Sequence, residues 1–84
     1  MNTLEVWITK PNKPTICIAV IQPYNDPSHP RRKFCYQEGQ SYVRIYSETA
    51  TSLSDMLYEY LDQNVDWGYC IANDIAVEIR PVIR

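Results

Sequence analysis

Residues 3–9, Thr-Leu-Glu-Val-Trp-Ile-Thr, alternate without a break: Leu4, Val6 and Ile8 fall on one side, and Glu5, Trp7 and Thr9 on the other. A period of two built from β-branched and aromatic residues predicts a half-buried strand. Residues 10–14 hold two prolines and an asparagine and predict a turn. Residues 15–22 are apolar at almost every position and rich in isoleucine and valine. That is the pattern of a central strand covered on both faces.

Residues 23–32 interrupt the periodicity with Pro23, Pro27 and Pro30. Three prolines exclude a central strand and predict a ten-residue loop, longer than the usual hairpin connection and of the kind that often carries function. Beyond it, residues 33–37 and 41–47 predict a hairpin turning at Glu38-Gly39. Phe34 and Tyr36 share one face of its first strand. Val43 and Ile45 share a face of the second, with Tyr42, Arg44 and Tyr46 opposite.

The period changes once. Leu53, Met56, Leu57, Tyr60, Leu61 and Asn64 recur at steps of three and four, which predicts one amphipathic helix over 52–64. Ser52 is its candidate cap, with Asp55 three residues on as the capping-box partner. Gly68 is the expected end of the helical region. Residues 69–72 read as a short strand. Ile75, Val77 and Ile79 then alternate with Ala76, Glu78 and Arg80 in a last strand that Pro81 is expected to stop.

The resulting order is β-β-β-β-α-β. The expected fold class is α+β: a single domain over 1–84 with a four- or five-stranded, mainly antiparallel sheet and one helix packed on one face. An 84-residue chain has room for one thin core and little for a deep cleft. Apolar residues make up 45% of it and aromatic ones 12%, which excludes a disordered chain.

Cys17, Cys35 and Cys70 are odd in number and fit no disulfide or zinc spacing, so reduced thiols and a cytoplasmic setting are expected. The first ten residues lack a basic region followed by an apolar run, so no secretion signal is expected. The longest aliphatic run is far too short to span a bilayer.

Charge adds the main functional candidate. Asp55, Glu59, Asp62 and Asp66 recur at steps of four, three and four, opposite the apolar stripe and beside Tyr58, and no Lys or Arg occurs between 49 and 76. Like charges at helical spacing repel, and acids near a helix C-terminus oppose its dipole. An uncompensated stripe of this kind is either a solvated face or an acidic docking surface for a basic protein patch. A second candidate surface joins Arg31, Arg32 and Lys33, at the end of the loop, to Arg44 and to Tyr42 and Tyr46. With Tyr36 these side chains have the chemistry to hold phosphates and stack bases, or to protect a sheet edge. A net charge of −2 argues against a dedicated nucleic-acid binder. Trp7, Tyr42 and Tyr46 are expected on the sheet face away from the helix. There they form a binding or dimer surface, or lie beneath the long loop and residues 67–72.

Catalysis has little to build on. His29 is the only histidine and Cys35 the nearest thiol; with Asp26 they are also the only mixed metal-ligand set. Neither grouping reaches a nucleophile-base or metal signature, and two glycines leave no phosphate-cradling loop. The expectation is therefore a non-catalytic protein without cofactor or metal. Its leading function is that of a small protein-binding inhibitor of the anti-CRISPR or anti-restriction type, encoded by a phage or mobile element. It would press its acidic helix face onto the basic surface of a nuclease or nucleic-acid-binding partner. The alternatives are a nucleic-acid-binding module and an oligomeric subunit, a homodimer included.

Overall fold

A computed structural model describes residues 2–83. Five strands, β1 (Asn2–Thr9), β2 (Ile16–Pro23), β3 (Phe34–Glu38), β4 (Arg44–Ser47) and β5 (Ala76–Ile83), form one antiparallel sheet in the order β4-β3-β2-β1-β5. Two helices, α1 (Leu53–Asn64) and α2 (Trp67–Ala72), connect β4 to β5. The chain thus runs a four-strand meander from β1 to β4 and returns over one face to place β5 beside β1.

The turn between β1 and β2 follows from its residues. The Lys13 N–H donates to the Lys10 carbonyl at 3.1 Å, and Asn12 has φ 59°. Proline at the second position and a left-handed asparagine at the third define a type II turn, Lys10-Pro11-Asn12-Lys13. On β2 the pairing steps from Val6↔Ala19 to Trp7↔Cys17, so Ile18 bulges out of the ladder and packs towards the core.

The inward faces are those that the alternation predicts. Val6, Ala19, Ile21 and Tyr36 from the sheet meet Met56, Leu57, Tyr60 and Leu61 from α1, with Leu4, Val77 and Ile79 at the margin. The Tyr36 and Tyr60 rings meet edge to face, with centroids 4.8 Å apart. Each large aliphatic side chain so buried contributes about 1.5–3 kcal/mol. The Ser52 Oγ caps α1 by accepting the Asp55 N–H at 3.0 Å. Asn64, assigned above to the apolar stripe, is exposed and donates from Nδ2 to the Tyr60 carbonyl at 2.9 Å.

Several local expectations are corrected. Residues 67–72 are a helix, not a strand, and Gly68 lies inside it; α1 ends at Val65, whose N–H donates to the Leu61 carbonyl at 2.9 Å. Asp66 starts α2 by accepting the Tyr69 N–H at 3.0 Å, so a fresh cap overrides the break. Strand β4 begins at Arg44, which leaves Tyr42 and Val43 in the connection after β3. Strand β5 passes through Pro81 because it is an edge strand, where a missing N–H costs no ladder bond. Strand β2 is central but has a layer on one face only: Ala19 and Ile21 are buried beneath α1, while Cys17 and Val20 on the other face are half-buried.

Candidate interaction surface

The register fixes what the uncovered sheet face displays. Trp7 pairs with Cys17 on one side and Glu78 on the other, and Glu5 with Val20 and Arg80. The Trp7 Nε1 donates to Glu5 at 3.0 Å, and the Arg80 guanidinium lies 4.2 Å from the Trp7 ring centroid while also bonding Glu78. Trp7 is therefore held in a polar cluster, with Arg80 over its ring and Glu5 on its Nε1, rather than presented bare.

At the far corner of the same face, Tyr24 and Tyr46 have ring centroids 4.2 Å apart, and Arg32 lies over Tyr46 at 5.5 Å. The loop before β3 thus folds onto this corner. It is pinned by Asp26, whose carboxylate accepts the Ser28 N–H at 2.9 Å and bonds the His29 Nδ1 at 2.9 Å. Those bonds, the one to His29 first, hold the Asp26 carboxyl below its ordinary range. Residues 67–72 do not help cover this face. Tyr69 and Cys70 line a hollow with Ile8, Ile18 and Val77, on the face that carries α1.

The basic candidates are only partly united. Arg32 and Tyr46 meet, but Arg32 is paired with Glu48 at 3.1 Å. Arg44 stands opposite Gln37 on β4. Arg31 and Lys33 are exposed and line a shallow hollow together with Glu48. Tyr42 is 95% exposed and off the sheet, and Tyr36 is buried in the core beneath α1, so neither can stack a base on the open face.

The acidic candidates are compensated in part. The Asp55 carboxylate accepts the Thr51 N–H at 3.0 Å and the Thr51 hydroxyl at 2.7 Å, bonds that hold its carboxyl below the usual range. The Glu59 carboxylate accepts the Thr49 hydroxyl at 2.7 Å, and Asp66 caps α2. Asp62 is exposed and makes no hydrogen bond or ion pair among the described residues. Tyr58, 64% exposed, lies one helical turn from both Asp55 and Asp62. At Asp55, Glu59 and Asp66 local hydrogen bonds stand where a neighbouring cation would.

Sequence reasoning missed Trp67, Tyr69 and Ile71. All three are exposed on α2, Trp67 and Ile71 one turn apart. The available signal was Asp66 as a cap ahead of them, but six residues are too few for a helical period to declare itself.

The candidate nucleophile is not set up for attack. Cys35 is fully buried and burial raises its thiol pKa, the opposite of what a thiolate needs. Among the described residues, no group of three or more His, Cys, Asp or Glu is placed to hold a metal ion, and no helix is long and apolar enough to cross a membrane.

Fold and surface together define a small α+β domain with one helical layer, one open sheet face and exposed aromatic groups on its helices. No family model, curated protein or solved structure matches the chain.

Proposed function

We propose that this protein is a small non-catalytic protein-binding inhibitor. Its helical layer docks onto a basic surface of a larger nuclease or nucleic-acid-binding partner. The observation that carries the reading is a coincidence of charge and exposure. From residue 45 to residue 79 the chain holds seven carboxylates and no Lys or Arg, and Tyr58, Trp67 and Ile71 stand exposed in the same stretch. Exposed aromatics supply contact area at low entropic cost, and carboxylates of one sign steer a basic partner.

The internal bonds of Asp55, Glu59 and Asp66 orient those carboxylates. Asp62 and Tyr58 are the freest members of the surface. A domain docked in this way covers the groups with which its partner holds phosphates. That is inhibition of the anti-CRISPR or anti-restriction type, carried out in the cytoplasm of a host by a phage or mobile-element product.

The test is affinity capture from host lysate beside a Tyr58→Ala, Asp62→Lys variant. The reading expects one stoichiometric protein whose retention falls with salt, is lost in the variant and is displaced by duplex nucleic acid. Unchanged retention and salt dependence in the variant would overturn it. Nucleic acid recovered without protein would move the site to Arg31, Lys33 and Arg44.

A further inference from the structure

The antiparallel meander brings three separate segments to one end of the molecule: the Lys10–Lys13 turn, the connection after β3, and α2. Five of the ten exposed large hydrophobic side chains among the described residues belong to them, Tyr42, Val43, Trp67, Tyr69 and Ile71, and Ile16 stands beside the turn at the start of β2. Three adjoining hollows of about 250, 330 and 240 Å³ open at this end, and Lys10 lines all of them. The first and third have mainly apolar walls, with Ile8, Ile16, Ile75 and Val77 prominent, and the second, between the turn and α2, is half polar. The two apolar hollows are each about the size of one large side chain and smaller than a typical cofactor site.

The Lys10–Lys13 turn carries charge opposite to that of the helical layer. The type II turn holds Lys10 and Lys13 at its two ends, rigidly, because Pro11 presets one dihedral and Asn12 takes the left-handed one. Neither lysine has an ion-pair partner among the described residues. Asp66 is the one acid lining these hollows, and its carboxylate is engaged by the Tyr69 N–H.

We infer that this end is a second docking site, for an acidic polypeptide segment that carries one large apolar side chain. The side chain enters a hollow beside Tyr69 and Ile75, and the flanking carboxylates meet Lys10 and Lys13. The groups that would hold the segment, Lys10, Lys13, Tyr69 and Ile75, share no residue with Tyr58 and Asp62, so failure of one reading leaves the other standing.

The probe is a capped pentapeptide, Glu-Asp-Trp-Asp-Glu, titrated to millimolar concentration into 15N-labelled protein. The amides of Lys10, Lys13, Ile16, Tyr69 and Ile75 should shift together. Replacing the tryptophan by alanine should weaken binding by about tenfold or more, the value of one buried side chain. A Lys10→Glu, Lys13→Glu variant should lose about threefold or more, and added salt should do the same to the wild type. Both substitutions lie in an exposed turn, so the variant's own spectrum will report an intact fold.

The inference is overturned by shifts scattered over the whole surface or by none at all. Equal binding of a peptide with lysines for its acids would also sink it. So would movement of the same amides with protein concentration alone, which would make a second copy, with its own Asp66-Trp67, the occupant.

Discussion

The Asp55 carboxylate takes two hydrogen bonds from Thr51, one from the backbone N–H at 3.0 Å and one from the hydroxyl at 2.7 Å, while the Asp55 N–H donates to the Ser52 Oγ at 3.0 Å. The capping box is thereby displaced by one residue, with the reciprocal bond reaching the residue before the cap. The same side chain opens α1 and supplies charge to its outer face. Replacing Ser52 by alanine should lower stability by about 1 kcal/mol, read as a shift in urea midpoint at constant slope.

The bonded Asp55 carboxyl titrates below its ordinary range, with the Thr51 side chain the main cause. A carboxyl depressed in the folded state contributes stability above its unfolded pKa, about 4, and loses it as pH falls through the folded value. Asp26 and Glu78 are depressed for like reasons, by His29 and Arg80. Stability should therefore be flat from neutral pH to about 5 and fall below about 4. Asp55→Asn should flatten part of that fall, in chemical denaturation at pH 7 and pH 3.

Cys35 and Tyr46 are cross-strand partners on the open face, with Tyr24 packed on Tyr46. Native protein should expose Cys17 and Cys70 to a thiol reagent and protect Cys35. Tyr46→Ala should make Cys35 the residue whose labelling rate rises most, measured by mass spectrometry of quenched samples.

Strand β2 carries the centre of the core in Ile21, which is fully buried. Ile21→Ala should cost about 2–5 kcal/mol, a large share of the 5–15 kcal/mol that holds a domain of this kind folded. Thermal denaturation followed by far-ultraviolet circular dichroism checks it.

Helix α2 has one and a half turns and no buried residue, so its cap matters more than its packing. Asp66→Ala should raise the exchange of the Tyr69, Cys70 and Asn73 amides, lowering local stability by about 1 kcal/mol while leaving α1 protected. Amide hydrogen exchange separates the two.

Much of the fold could be read from local pattern. Leu4, Val6 and Ile8 announce their face by alternation, and Leu53, Met56, Leu57, Tyr60 and Leu61 announce theirs by helical spacing, because each period must match one contiguous core. The acid stripe was equally visible, but its compensation was not. Thr49, which bonds Glu59, lies ten residues away, and only the path of the chain from β4 to α1 brings them together.

The sequence by itself determined the strands, their inward faces, the capped helix and the excess of acid between β4 and β5, all properties of neighbours a few residues apart. Only the tertiary structure decided which strand lies at the edge and so lets Pro81 stand inside β5. It also left one sheet face without a layer, and gathered Lys10, Ile16, Tyr42 and Tyr69 at one end. Those outcomes depend on pairing between distant segments, for which a single strand's pattern carries no address.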